Sequence, residues 1–548
     1  MLCVCVNVPT GFDRRQCAVL PASVVHAELL RNGTLPFMSI TAGLPQLGQG
    51  CSRSTLAECV GHKTTQHVAH FAYSRHPHAY IRLGKSKTPC SAQSIGSQAA
   101  VSTSEKDFQL WWRSADVKAA LSPADFEGLR GMSADREINS GDTIVSLPRT
   151  AALVVTPKMK NPFPDEITAA YWSQSQWFEK MAVMLLHEKR KGTHSAVSGY
   201  VEQLPADFDT LLHWSDQEMQ LLMYPHLLQQ VQQQKESWHQ YYESVQAATS
   251  GPPMSEAELT WALECVRSRA FSGPYSGPPI KERAKAVVPF LLTAAAYTQW
   301  AHLPLEQILN GAIAAVLFNI IYDTLLSRKL RWFALCPVID SMNHLSASRN
   351  EVAYEYFGDR FSVTAERKYN QGEQVFITYG LQSNDKLLQY YGFVEPKNPA
   401  DVYVVPDLLE ALRDLPYLRI PEEGVQAAKQ AGLSVALQKV ALTRQGLPEK
   451  ALQAVRMVLA PAQLLEQHSA ADFRQQVDAL HEESCLQALK DVCLSLSSQL
   501  TRIPAKQSDG AISRRRQDLA KQFRQQKSRV LQSCCKSLEN QIRKARKQ

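Results

Sequence analysis

Asp340-Ser341-Met342-Asn343-His344, then Ile377-Thr378-Tyr379-Gly380-Leu381-Gln382-Ser383-Asn384-Asp385, then Tyr390-Tyr391-Gly392-Phe393-Val394, are the stretches on which the fold turns. An Asn-His or a Tyr-Gly taken singly carries no information. Their order, their spacing and the strands between them do. Residues 335–339 read as a strand ahead of the first stretch. Val352, Tyr354 and Tyr356, then Phe361 and Val363, alternate about a Gly358-Asp359 turn as a hairpin, and 374–379 follows Gln371-Gly372 as a last strand.

Working outward, residues 133–138, 143–147 and 151–155 read as short strands, the first two joined at Asn139-Ser140-Gly141-Asp142 as a β-hairpin region. A helical stretch over 166–191 ends at Gly192. Ser-x-x-Glu boxes at Ser215 and Ser255 open two more helices, the second running towards Ser268-Arg269-Ala270-Phe271. From Leu408 onward the pattern is helical. The order is β, inserted α, β, then all α.

The three opening stretches resemble the SET-domain signature and, more narrowly, the Rubisco large-subunit methyltransferase family. Glu127-Gly128-Leu129, Gly141-Asp142 leading to Leu147-Pro148, and Tyr200-Val201-Glu202-Gln203-Leu204-Pro205 stand where that family places its counterparts. The segment 425–457, with Lys429 and Arg456, is similar to its helical substrate-binding domain, so the likeness covers roughly 125–535. It implies an α+β chain: a SET β-fold over 105–395 with a helical insert at about 166–330, then an all-α substrate-binding domain over 396–548 ending in a basic helix. It also implies an S-adenosylmethionine-dependent protein-lysine N-methyltransferase. Tyr379 would be the catalytic residue, and Phe271, Tyr379 and Tyr391 the lysine channel. Glu127, Leu129, Arg269, Asp340, Asn343, His344 and Phe393 would hold the cofactor. One departure is local: the family's Glu-Gly-x-Gly is one residue longer here, Glu127-Gly128-Leu129-Arg130-Gly131.

The chemistry explains why such residues are needed. Methyl transfer from a sulfonium is an in-line displacement, so alignment of donor and amine matters more than acid strength, and no metal is required. The nucleophile is a neutral amine, whereas free lysine is about 99.9% protonated at pH 7. An aromatic channel desolvates the ammonium and lowers its pKa. A tyrosine with an ordinary pKa near 10 serves better to position than to remove a proton. An arginine such as Arg269 can clamp a carboxylate bidentately.

Composition sets outer limits. At 548 residues, with 45% apolar and 20% charged residues, the chain is globular and longer than one core usually serves. Residues 1–104 hold nine Lys/Arg against three acids, and 506–548 thirteen against three, which leaves 105–505 at −9 within a total of +7. The acid-poor, aperiodic first 104 residues suit an organelle transit peptide, plastid ahead of mitochondrion, or a plain disordered extension. Twelve cysteines without paired spacing point to free thiols in a reducing compartment and to no structural metal. The apolar runs 287–301 and 311–326 read as buried helices in preference to a membrane-seated hairpin, which leaves 287–326 as the one route to membrane association. The basic tail lacks aromatic interleaving, so no dedicated nucleic-acid site is expected. The expected partner is a protein substrate, and the chain is expected to be a monomer. The family resemblance brings in the Rubisco large subunit or fructose-bisphosphate aldolase as substrates. Methylation of histidine and a non-catalytic SET scaffold in a plastid complex are the rival functions.

Overall fold

The computed structural model describes residues 103–156, 158–274, 331–355, 358–502 and 513–546, with isolated positions at 310, 311, 314 and 317. The targeting expectation for the first 104 residues lies outside these, save Thr103 and Ser104, and so do the apolar runs, save a few isolated positions. Among the described residues no helix is long and apolar enough to cross a membrane, and no cluster of His, Cys, Asp and Glu could hold a metal ion.

Helix α1 (Thr103–Ser114) buries Phe108 and Trp112. Strands β1 (Lys118–Ala119), β2 (Leu121–Phe126), β3 (Leu129–Ala134), β4 (Thr143–Pro148) and β5 (Leu153–Val155) follow. The longer inserted helices are α2 (Trp177–Lys191), closed by Gly192 at φ +54°, α3 (Pro225–Ala248) and α4 (Glu256–Arg269). Ser255 caps α4 through a reciprocal box with Glu258, and Ser215 does the same with Glu218, so both Ser-x-x-Glu readings match the structure. The chain returns through β6 (Ala270–Pro274), β7 (Arg331–Leu335), β8 (Asn343–His344), β9 (Val352–Glu355), β10 (Arg360–Thr364) and β11 (Phe376–Ile377) to helix α5 (Asn384–Tyr391). Beyond α5 the chain is helical apart from an antiparallel ribbon of β12 (Tyr403–Asp407) and β13 (Gln438–Leu442). The longest helices there are α6 (Glu449–Val458), α7 (Ala479–Thr501) and α8 (Arg514–Ala545).

The β elements form small sheets, not one. A four-stranded sheet runs β1-β4-β10-β9 and a three-stranded sheet β5-β7-β6. The expected hairpin across 139–142 is not formed. The turn exists, with Asn139 N donating to Asp142 Oδ2 at 2.9 Å, but β3 pairs backwards with β2, and β4 pairs with β1 and with the distant β10. The helix expected over 166–191 is two helices, because Ser175 and Gln176 are extended. The last strand shrinks to two residues, since β11 meets only β8, in parallel, with Phe376 opposite Asn343 and Ile377 opposite His344.

Two apolar cores result. One gathers α1, the sheets, α2 and α4 around Ile144, Met181, Leu335 and Phe361. The other is built from the helices of the C-terminal part, with Val455, Leu489 and Phe523 among its buried residues, yet also takes Leu211, Tyr224 and Leu227 from the insert and Leu388 and Val394 from around α5.

Candidate active site

The β8/β11 ladder brings the first two motif stretches side by side. Val338, fully buried, holds φ +69°, a conformation that costs a β-branched residue on the order of 1–3 kcal/mol. It leads into a tight turn, Ile339–Ser341, from which Asp340 points inward. Asn350, also fully buried, braces the far side by donating to Tyr369 Oη at 2.8 Å and to the Phe376 carbonyl at 2.7 Å. Helix α5 ends at Gly392, whose left-handed φ of +72° and closeness to Asp209 O, 3.1 Å from where a Cβ would sit, both demand glycine. That end delivers Tyr391 and Phe393.

Tyr379 stands at the centre. Its ring stacks on Tyr391 and on His344, each at 5.0 Å, and meets Phe271 edge-on at 6.5 Å. Its hydroxyl donates to the Met342 carbonyl at 2.9 Å. Burial pushes the phenol well above its ordinary range, so it is a neutral donor and no base at physiological pH. Burial likewise pushes Tyr391 up to about 12. The His344 ring is spent internally: Nδ1 accepts from Tyr379 N at 3.0 Å, while Nε2 lies 3.5 Å from Glu395 Oε2. Burial lowers its pKa, outweighing Glu395.

Arg269, at the end of α4, reaches the Asp340 carbonyl at 3.2 Å and its Oδ2 at 3.4 Å. Tyr200 Oη donates to the same Oδ2 at 2.7 Å. Burial raises the Asp340 pKa against the pull of Arg269; burial also opposes the Arg269 charge, but Asp340 outweighs it. The pair is thus satisfied by opposition, with one exception. Arg269 Nε is buried and has no partner among the described residues, a donor held ready for an acceptor.

Two cavities share this wall. One, of about 450 Å³, is lined by Leu129, Arg269, Asn343, His344 and Phe393 among others; the second, of about 370 Å³, by Phe271, Ser272, Glu351 and Gln382. Arg269, Asp340, Tyr379 and Tyr391 line both. All the sequence-derived site residues therefore converge except Glu127. It lies outside both linings, exposed at the β2/β3 turn with φ +56°. Sequence reasoning missed Tyr200 and Gly131. A Cβ on Gly131 would stand 2.6 Å from Asn343 Nδ2, so the glycine lets that amide reach the Arg130 carbonyl at 3.1 Å. Glu-Gly-Leu-Arg-Gly was a visible signal for Gly131, and Tyr200 lay in a quoted motif without any mark of its role.

Two cavities thus meet at the half-buried Tyr379 beside the parallel β8/β11 ladder. No protein-family model matches the chain. The chain is 22% identical over 337 residues to the Rubisco large subunit N-methyltransferase, chloroplastic, of Pisum sativum, covering 59% of this chain and 58% of that protein, so the match spans under two-thirds of its length. A solved structure of the SET domain of the Rubisco large-subunit methyltransferase bound to lysine and AdoHcy superposes with a TM-score of 0.54 at 19% identity, over 82% of this chain and 93% of that one. A shorter match, 40% identical over 68 residues and 12% of each chain, is to the actin-histidine N-methyltransferase of Drosophila melanogaster. The fold is that of a SET domain with helical additions. In particular it is the fold of the Rubisco large-subunit methyltransferase structures.

Proposed function

We propose that this chain is an S-adenosylmethionine-dependent protein-lysine N-methyltransferase, and the observation that carries the reading is Tyr379 forming the common wall of two cavities. The larger suits the cofactor. Arg269 Nε, buried and without a partner among the described residues, fits its carboxylate, and Asn343, the His344 backbone, Leu129 and Phe393 flank the remainder. When bound, the cofactor supplies a methyl group on a sulfonium.

The protein's own part is to prepare the amine. Phe271, Tyr379 and Tyr391 strip water from the incoming ammonium, which favours loss of its proton. The same rings restrict the nitrogen to a line of approach past the Tyr379 hydroxyl. Tyr379 positions and stabilises through its hydroxyl dipole, in keeping with its raised pKa. Residues 396–548 then serve as the domain that holds the protein substrate. Plastid stroma is the proposed compartment, with Rubisco large subunit or aldolase as candidate substrates; the pea relative is named chloroplastic. A fluorescent fusion of residues 1–104 should enter plastids.

The decisive experiment incubates purified protein and methyl-labelled cofactor with a stromal extract and identifies the labelled residue by mass spectrometry. Methyl-lysine supports the reading. Methyl-histidine would move the chain to the other chemistry, and no incorporation with intact cofactor binding would leave an interaction scaffold.

A further inference from the structure

Helix α8 carries a feature that the transfer site does not use. Its buried or half-buried cations are otherwise matched to carboxylates: Arg516 lies 2.7 Å from both Asp209 and Glu218, and Lys527 lies 2.7 Å from both Asp385 and Asp401. Arg524 is not. Its Nη1 reaches the Arg502 carbonyl and Met223 Sδ, each at 3.2 Å, while Nε is buried with no partner among the described residues. Burial holds its pKa below the ordinary range.

Arg524 lines an open groove of about 580 Å³ between the end of α7 and α8, together with Arg502, Lys521 and Arg529. Thr501 and Gln532 add neutral hydrogen-bonding groups, and among the described residues no acid lines the groove. The carbonyls ending α7 attract cations, but a helix terminus offers about half an elementary charge against four here. Arg502, Lys521 and Arg529 are exposed, and with the half-buried Arg524 they make the groove cationic, with no carboxylate partner among the described residues.

We infer that this groove binds a small, multiply charged phosphate compound. Guanidinium forks match phosphate oxygens bidentately, and an arginine left partly desolvated has already lost water that a phosphate would otherwise displace. The volume falls in the range of roughly 300–1,000 Å³ typical of small-molecule sites. Among the described residues no aromatic ring lines the groove, which argues against stacked bases of a single-stranded nucleic acid.

Calorimetric titration of the full chain with inorganic pyrophosphate, at near-physiological ionic strength and with citrate as a carboxylate control, tests this. One saturable site preferring pyrophosphate is expected. Arg524→Gln and Arg529→Gln should each weaken it about tenfold or more. Arg543→Gln, on the same helix but outside the groove, should leave it unchanged, and circular dichroism checks that all variants fold. Absence of saturable binding, equal affinity for citrate, or unchanged affinity in Arg524→Gln would overturn the assignment. So would an oligoribonucleotide that binds more tightly than pyrophosphate through the same arginines.

Discussion

On the proposed function, Tyr379 concentrates the chemistry in one hydroxyl. A Tyr379→Phe variant loses the donor to Met342 O but keeps the ring stacks, so it should bind cofactor normally by titration and turn over about a hundredfold more slowly or worse. Unchanged turnover would remove it from the reacting centre. His344 gives a pH signature. Its folded pKa is depressed, so its contribution to stability is fully present above the unfolded value near 6.5 and is lost as pH falls through the lower folded value. Protonation at Nδ1 also breaks the bond from Tyr379 N. Activity should therefore fall on an acid limb below about pH 6.5, tracking the His344 ring signal by NMR; a flat profile there would contradict it. These residues were legible because the motif keeps them close in sequence. Tyr200 was not, since its partner Asp340 lies 140 positions away and nothing local distinguishes a buried tyrosine from an ordinary core ring.

At the level of elements, the β2/β3 hairpin and helix α8 each hold something in place. Gly131→Ala should push Asn343 and Gln374 aside, because the added Cβ would lie 2.6 and 2.9 Å from their amide nitrogens. These are movable side-chain ends, so the expected result is weaker cofactor binding by calorimetry with little change in thermal midpoint. Lys527, fully buried, joins α8 to Asp385 and Asp401 and to the Val402 carbonyl. Lys527→Met leaves two buried carboxylates facing each other without a cation and should cost about 3–5 kcal/mol by denaturant titration. Burial already raises the Asp385 pKa, so the penalty should shrink as pH falls and the Asp385 carboxyl protonates. A penalty independent of pH would mean the charges are not its source. Helix starts were readable from their capping boxes, whereas the strand partners were not. The 139–142 turn carries every local hairpin signal, yet β4 finds its neighbour in β10, a choice made by packing that no local pattern records.

Across the whole molecule, the SET portion and the helical portion share a core. Leu211 and Tyr224 of the insert and Leu388 of α5 are buried with Phe523 and Val530 of α8, so the sequence boundary near 395 does not coincide with a break in packing. Composition and motif order suffice to anticipate helices after strands, but not that an inserted segment would belong to the later core.

The two cavities meeting at Tyr379 have a kinetic consequence. Apart from their common wall, their linings come from different elements: β3, β8 and the segment after α5 on one side, β6, the start of β9 and the segment after β11 on the other. On the proposed function, this arrangement would let spent cofactor exchange while the polypeptide keeps its lysine seated, and catalysis would be processive. At enzyme well below substrate, higher methylation states should accumulate beside unmodified protein, with little monomethylated intermediate released; intact-mass spectrometry over a time course reads this directly, and a monomethyl pool that builds before any dimethyl product would show that each turnover ends in full dissociation.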